Sequence, residues 1–168
     1  MRFPVAQGFS LEKFMQHKFI ADDMLGKLAK WMRIMGCDVD YLRSISDKEL
    51  VERAEGSGRI ILTRDTLLIK RRKAKNNHFF VQSDSYQEQL RQVIKHFSID
   101  PYANFLTRCL LCNRLLADIN KELVENKAPE YVYETQESFK TCSSCSKIYW
   151  QATHKDKMME QLKAILKG

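Results

Sequence analysis

Short apolar runs alternate with longer amphipathic stretches as far as residue 98 of the chain. The run Ile60–Leu62 is continuously apolar and β-branched in part, which favours a strand buried on both faces. The resulting order, β-α-β-α-β-α-β-α, is typical of an α/β fold with a mainly parallel sheet and right-handed crossovers. Strands are predicted at 18–21, 39–42, 59–63 and 78–82, and helices at 24–35, from 46 or 47 onward, and at 86–97.

The character of the sequence changes at residues 99–101. Beyond this point the apolar pieces are short, asparagine-rich turns separate them, and four of the five cysteines occur. We interpret 103–153 as a small β module, and 155–166, with its apolar stripe at helical spacing, as a closing helix. The predicted organisation is an N-terminal appendage at 1–17, an α/β domain at 18–98, and a module with a C-terminal helix at 99–168.

Four cysteines of the module form two C-x-x-C pairs separated by 29 residues. Each pair can form a tight turn that points two thiolates at one ion, and two such turns complete a tetrahedral Zn²⁺ site. Because four protein ligands leave no open coordination position, this zinc would be structural, supplying on the order of 10 kcal/mol to folding. The alternative is two free or redox-active pairs. The predicted ligands are Cys109, Cys112, Cys142 and Cys145.

Composition and charge narrow the classes of function. The 168 residues include 28 Lys and Arg against 21 Asp and Glu, and the resulting net charge of +7 favours a polyanionic partner. No apolar stretch reaches the ~18 residues of a transmembrane helix, so we expect no membrane association. The N-terminal residues lack the apolar segment of a secretory signal, and a cytoplasmic protein is expected. The sequence identifies no protein partner.

Two of the predicted strands end in acidic residues. Asp22 follows the first strand, and Asp65 follows the third strand after Thr63 and Arg64. In an open parallel sheet, functional groups collect at the carboxyl ends of the strands. Taken alone, Asp65 is better explained as a cap of the helix that follows. Two strands that each deliver a carboxylate suggest a metal site.

Several sequence blocks occur together in this chain. They are Phe19-Ile-Ala-Asp-Asp-Met-Leu-Gly-Lys-Leu-Ala-Lys-Trp-Met-Arg33, Gly36-Cys-Asp38, Asp47-Lys-Glu49, Arg59-Ile-Ile-Leu-Thr-Arg-Asp65 and the two cysteine pairs. In this combination the chain resembles the Mut-seven C-terminal ribonuclease family, a branch of the PIN-like nucleases that carries a zinc ribbon. The resemblance extends from Phe19 to the C-terminal helix.

The resemblance implies a PIN-like fold, in which helices flank a parallel sheet with acids at the strand ends, and divalent-metal-dependent cleavage of RNA. Hard oxygen ligands suit Mg²⁺ or Mn²⁺, which activate water and neutralise charge on phosphate. We assign Arg64 to phosphate binding or carboxylate orientation, and Thr63 to positioning a metal-bound water. The catalytic acids that match by position are Asp22, Asp47, Asp65 and Asp84, with Asp22 and Asp65 as ligands of the catalytic ion.

Basic residues lie near these acids in the sequence. A run of five cations in six residues follows Asp65. Beside the acids it would bind the phosphate backbone without reading base sequence, and elsewhere it would be a solvated helix face. Three cations lie off the apolar stripe of the first helix, and we expect them to face water and extend the same surface. The candidate RNA-binding residues are Lys27, Lys30, Arg33, Lys70, Arg71, Arg72, Lys73 and Lys75.

Two other functions compete with a single-strand-specific endoribonuclease. A non-catalytic RNA- or ribosome-binding protein would keep the nuclease fold as a scaffold and use the module and the basic run. A phosphatase or nucleotide hydrolase would need a glycine-rich phosphate loop or an Asp-x-Asp motif at the first strand, and neither is present. The block Trp150-Gln-Ala-Thr-His154 departs from the family's Trp-Pro-Gly-x-His, so His154 is left with a structural or substrate-facing role.

Overall fold

The main sheet contains four parallel strands, as the sequence predicts. The computed structural model of the protein describes residues 17–150 and 154–168, so the predicted appendage lies outside the described residues except for His17. The strands are β1 (Lys18–Ala21), β2 (Asp38–Tyr41), β3 (Ile60–Thr63) and β4 (His78–Phe80). Their spatial order is β2-β1-β3-β4, which makes β1 and β3 the inner strands.

Helices cover both faces of this sheet. On one face pack α1 (Gly26–Ile34), α3 (Tyr86–Phe97) and α5 (His154–Lys167), while α2 (Asp47–Ser57) contacts β1 and β3 on the other. The remaining helix, α4 (Glu130–Thr135), belongs to the region that follows α3 in the chain. A parallel sheet flanked by helices is therefore confirmed, and the inner strands are apolar because both of their faces are covered.

Successive residues of the inner strands enter two different cores. Phe19 and Leu62 contribute to the core beneath α1 and α3, whereas Ile20 and Ile61 contribute to the core beneath α2. All four side chains are at most 1% exposed. This alternation is the period-2 geometry of a strand, and it explains why the continuous apolar run at residues 60–62 is required.

The first helix differs from the predicted helix at 24–35. A 3-10 turn at Asp23–Leu25 precedes α1, and Met24, which we expected on the buried stripe, is 63% exposed. Gly36 ends the helix with φ +84°, and a Cβ built there would lie 2.1 Å from the carbonyl oxygen of Asn104. Both the left-handed backbone and the close approach require glycine at this position.

The connection between β3 and β4 contains no α-helix among the described residues, so the predicted alternation is wrong at this one place. A 3-10 turn at Leu68–Lys70 is followed by further turns across the basic run. Leu68 and Ala74 are fully buried against α2 and anchor this connection to the core. The basic run is therefore displayed on anchored turns and not along a solvated helix face.

The region after α3 forms a small antiparallel sheet, as predicted for the β module. Its strands are β5 (Leu116–Ile119), β6 (Phe139–Cys142) and β7 (Ile148–Trp150), paired in that order. Val124, Phe139 and Ile148 form a separate small core.

The C-terminal helix packs on the α/β part of the chain. Leu162 and Ile165 of α5 join the core of α1 and α3, and Arg91 of α3 donates a hydrogen bond to the Ile165 carbonyl at 2.6 Å. The domain division at residue 98 stays a prediction. The helix that follows the module in sequence nevertheless shares its core with the parallel sheet.

Candidate active site and zinc site

Two acids follow the carboxyl ends of the adjacent inner strands. Asp22 follows β1, and its backbone amide donates to the Leu62 carbonyl of β3 at 3.0 Å, which continues the strand pairing. The Thr63 hydroxyl donates to Asp22 Oδ2 at 2.7 Å and accepts from the Asp65 amide at 2.9 Å. Buried Thr63 thereby links the segments that carry Asp22 and Asp65.

A tight turn fixes the orientation of Asp65. Its Oδ1 accepts from the backbone amides of Leu67 at 2.7 Å and Leu68 at 3.3 Å. The helix that Asp65 was expected to cap is absent among the described residues, and the 3-10 turn that follows has no side-chain cap. Asp65 instead closes a turn on the amides two and three residues ahead, which occupies one of its two carboxylate oxygens. Within the described part of the chain, no hydrogen bond to Asp65 Oδ2 is present, so this oxygen can serve as a ligand. Asp22 and Asp65 thus offer hard oxygen atoms of the kind that Mg²⁺ and Mn²⁺ take, usually from one or two carboxylates together with substrate phosphates.

Arg64 and Asp84 form an ion pair beside this site. The Arg64 guanidinium contacts Oδ1 of Asp84, and the Asp84 side chain is 91% exposed. Arg64 Nε is buried and has no hydrogen-bond partner among the described residues. A buried N–H donor without an acceptor is uncommon and is a candidate for an anionic ligand or water.

Two ion pairs join the basic run to acids of α2, one of which is Asp47. Arg71 contacts Asp47 at 2.8 Å and Lys73 contacts Glu55 at 2.7 Å, and all four side chains are substantially exposed. Across residues 17–150 and 154–168, no hydrogen bond or ion pair connects Asp47 or Asp84 to Asp22 or Asp65. The catalytic roles of Asp47 and Asp84 stay predictions.

The expectation that Arg33 faces water is wrong. Arg33 is 5% exposed and donates to the carbonyls of Val39 at 2.9 Å and of Leu110 and Leu111 at 3.0 Å each. The buried guanidinium is not accessible to a phosphate. It joins α1 and the outer edge of β2 to the turn that carries the first cysteine pair. Lys27 and Lys30 do face solvent.

The turn between Cys109 and Asn113 covers the free edge of β2. Asn113 Oδ1 accepts from the Val39 amide at 3.0 Å, and Asn113 Nδ2 donates to Asp38 Oδ1 at 2.7 Å. Arg33 and Asn113 together satisfy the outward amide and carbonyl of Val39. The edge strand is therefore closed to pairing with another chain at this residue.

The four cysteines of the two C-x-x-C pairs converge. Their Sγ atoms all lie within 4.8 Å of one another, and the sulfurs of Cys109 and Cys145 are 3.7 Å apart. A tetrahedral Zn²⁺ with Zn–S bonds of about 2.3 Å holds its sulfurs about 3.8 Å apart, so the geometry suits one zinc ion. Among the described residues, this quartet is the one group of three or more potential ligands that lies so close together.

The surroundings of Cys109 favour its thiolate form, which is the form that binds zinc. Burial raises the pKa of Cys109, but hydrogen bonds from the Tyr149 hydroxyl and from backbone amides outweigh this effect and lower it to about 6. The Tyr149 oxygen lies 3.1 Å from the sulfur and accepts from the Leu110 amide at 3.2 Å. Such outer groups orient ligands and favour their charged form.

A second polar network connects the module to the sheet through Asp38. Arg59 donates to Asp38 Oδ1 at 2.6 Å and to the Phe19 carbonyl at 3.0 Å, and Arg108 lies 3.6 Å from Asp38 Oδ2. Burial raises the pKa of Asp38, but the hydrogen bonds from Arg59 and Asn113 outweigh it and hold the pKa below its usual value.

We expect Asp38→Asn to reduce the free energy of unfolding at pH 7 by about 2 kcal/mol, because the amide oxygen can keep the hydrogen bonds from Arg59 and Asn113 but lacks the negative charge that strengthens them. A carboxyl whose folded-state pKa is depressed stabilises the protein above its unfolded pKa of about 3.9, and the contribution disappears as pH falls through the folded pKa. The difference between wild type and variant should therefore shrink below pH 4. Urea unfolding at several pH values measures it, with exposed Asp118→Asn as the control. A difference that does not change with pH would contradict the assignment.

The sequence pattern does not indicate Asn113, Arg108 or Tyr149 as functional residues. Each supports the metal site or its docking from outside the ligand set, and none belongs to a motif with regular spacing. Proximity to a C-x-x-C pair is the one signal that sequence offers, since Arg108 and Asn113 flank Cys109 and Cys112.

Fold and site together define an α/β protein with two carboxylates at the carboxyl edge of its sheet and an attached four-cysteine β module. The family model of the Mut7-C RNAse domain matches residues 17–162, and the chain belongs to this family. The family resemblance is thereby confirmed, and the family name indicates a ribonuclease-type function. No curated protein and no solved structure matches the chain. In the part of the chain that the structure describes, no helix combines the length and apolarity needed to cross a membrane.

Proposed function

We propose that the protein is a divalent-metal-dependent ribonuclease that cleaves single-stranded RNA internally. The observation that carries the proposal is the pair Asp22 and Asp65, held at the ends of adjacent strands by one buried threonine hydroxyl. Functional groups of open parallel sheets collect at this edge. The ribonuclease family of the chain and its net charge of +7 support RNA as the substrate.

The residues have distinct roles in this proposal. Asp22 and Asp65 would hold Mg²⁺ or Mn²⁺, which would lower the pKa of a bound water and neutralise charge on the phosphate. Thr63 keeps Asp22 in place through its hydroxyl and supports the Asp65 turn. Arg64, with its orphaned Nε, is a candidate to bind the scissile phosphate or to orient Asp84.

Basic side chains around the site would bind the RNA backbone. Lys70, Arg72 and Lys75 of the basic run have no ion pair among the described residues, whereas Arg71 and Lys73 are paired with acids of α2. We assign the backbone contacts first to the unpaired cations. Such contacts are sequence-independent and weaken steeply with salt.

The test uses the whole 168-residue chain, loaded with zinc, and a circular single-stranded RNA, which has no ends for an exonuclease. Buffer is depleted of divalent ions by a chelating resin, because EDTA could also remove the structural zinc. We expect linear products with Mn²⁺ or Mg²⁺ and none without them. Cleavage that is equal in the depleted buffer would contradict a metal-dependent reaction, and cleavage of linear RNA alone would contradict the endonucleolytic mode.

A non-catalytic RNA-binding protein is the second candidate. The ion pairs of Asp47 and Asp84 favour it, because acids neutralised by arginine are less available to an ion. This candidate predicts RNA binding that falls with salt and is unchanged by Asp65→Asn. Metal-dependent turnover that this substitution abolishes would exclude it.

A further inference from the structure

A groove of about 320 Å³ lies between α1, α3 and α5, and apart from its two lysines no residue of it has been given a role above. Its volume is at the lower end of the range for small-ligand sites. The walls are formed by Trp31 and Ile34 of α1, Tyr86 of α3 and Met158 of α5, and two lysines stand at its rim. The groove therefore combines an apolar, aromatic interior with a cationic border.

The two aromatic rings of the groove lie nearly parallel. The centroids of Trp31 and Tyr86 are 6.5 Å apart and their planes differ by 10°. Lys27 Nζ lies 5.8 Å from the Tyr86 centroid, within range of a cation–π contact. Both rings are only partly buried, although they pack against the main core, so each retains accessible surface.

The position of the groove relates it to the acidic edge of the sheet. Lys27 lies in the first turn of α1, which follows Asp22 after one 3-10 turn, and Tyr86 begins α3 two residues after Asp84. Lys27, Trp31 and Ile34 share one face of α1 and extend about 10 Å along it, at 1.5 Å per residue. The groove thus starts at the end of the sheet that carries the acids and leads away from it.

We propose that this groove binds an unpaired nucleobase of the RNA that the acidic site would cleave, with Trp31 and Tyr86 as the stacking surface and Lys27 and Lys30 on the adjoining phosphates. The inference rests on the proposed ribonuclease function. Aromatic faces beside a positively charged track are how proteins hold single strands without reading their sequence. A base inside a duplex is stacked between its neighbours and has no free face for the protein, so the groove would select single-stranded over duplex substrate.

The probe is a ten-nucleotide oligoadenylate, compared with an abasic decamer of the same charge. The chain has two tryptophans, so the fluorescence of the Trp150→Phe variant reports on Trp31 alone. In buffer without added divalent ions, oligoadenylate should quench Trp31 fluorescence. The abasic decamer should bind roughly tenfold more weakly and quench little, because stacking on an aromatic residue is lost.

Substitutions separate stacking from charge. Tyr86→Ala should weaken oligoadenylate binding roughly tenfold and leave abasic binding unchanged, whereas Tyr86→Phe should keep both. Lys27→Ala should weaken both ligands by the same factor and reduce the salt dependence. Thermal unfolding checks that each variant is folded, and Tyr86→Phe, which keeps the ring, supplies the comparison if Tyr86→Ala unfolds.

Equal affinities of wild type for the two decamers, or unchanged Trp31 fluorescence, would overturn the proposal. These results are independent of catalysis. RNA cleavage without base-dependent binding would overturn the groove and leave the ribonuclease standing. Base-dependent binding without any cleavage would instead support the groove and remove the proposed reaction.

Discussion

Asp65→Asn should lower the rate of RNA cleavage by on the order of 10³-fold, since a carboxylate ligand of a catalytic ion contributes several kcal/mol of charge stabilisation. The substitution should change the charge of residue 65 without disturbing the local backbone. The amide oxygen of asparagine can still accept from the backbone amides of Leu67 and Leu68, so the turn that orients residue 65 is retained. What is lost is the negative charge and the second oxygen as an anionic ligand.

Asp22→Asn should be at least as damaging to activity, and it should also cost stability. Asp22 Oδ1 accepts from the Asp23 amide at 2.6 Å while Oδ2 accepts from Thr63. An asparagine has one acceptor oxygen and cannot satisfy both donors. Asp65→Asn is therefore the cleaner test of charge, because its activity loss should occur without a change in unfolding temperature.

The control for these variants is Asp118→Asn, which removes an exposed acid of β5 whose ion-pair partner is Lys140. We expect it to cleave at the wild-type rate. Single-turnover rates with saturating protein separate chemistry from RNA binding. Wild-type cleavage by Asp65→Asn would contradict a catalytic carboxylate at residue 65.

The second large effect concerns zinc. We expect about one zinc ion per chain in the wild type and less in Cys142→Ser, whose β module should unfold. Binding of a structural zinc contributes on the order of 10 kcal/mol to folding, and the module has only a small core of its own. Cys142 ends β6 and is 1% exposed, so no other group can easily take its place. Metal analysis measures the zinc, and circular dichroism or NMR measures the loss of structure.

Loss of zinc should also weaken the α/β part. The turn of the first cysteine pair supplies Asn113 to the edge of β2 and two carbonyls to buried Arg33. Arg33 would keep the Val39 carbonyl at its Nε but lose both acceptors of its Nη1, and a buried charged donor without its acceptors is destabilising. Cys37→Ala is the matched control, because Cys37 is buried outside the quartet and this variant should keep its zinc. A zinc-free protein that keeps the β module folded would contradict the prediction.

The cysteine quartet and the proposed site of the catalytic ion lie at different ends of the sheet. The zinc turn docks on Asp38 and Val39 at the beginning and outer edge of β2, whereas Asp22 and Asp65 follow the ends of β1 and β3. Four protein ligands leave zinc no position for substrate. The quartet is therefore suited to stabilise the sheet from one end while the acids occupy the other.

The parts of the fold that sequence predicts are those with a local or periodic cause. Helix α3 is found at its predicted limits because its apolar residues recur at helical spacing, and Ser46 caps α2 through the Glu49 amide as its residue type suggests. The turns at residues 66–77 were not predictable in the same way. Their basic residues have good helix propensity, but tertiary packing of Leu68 and Ala74 against α2 decides the backbone.

The candidate site shows the same division. Strand ends and C-x-x-C spacing are enough to indicate Asp22, Asp65 and the cysteine quartet. Burial of Arg33 was not predictable, because its acceptors Leu110 and Leu111 lie far away in sequence. The same holds for the arginine partners of Asp47 and Asp84, which are fixed by the tertiary fold.

The most direct test of the central claim places wild type and Asp65→Asn side by side on a labelled single-stranded RNA while Mn²⁺ is titrated. Both proteins are first shown to be folded and to carry zinc. We expect the wild-type rate to rise with Mn²⁺ and saturate, while the variant stays near the uncatalysed rate throughout. Equal rates for the two proteins, or no Mn²⁺-dependent cleavage by wild type, would contradict a carboxylate-held metal ion as the basis of the proposed ribonuclease activity.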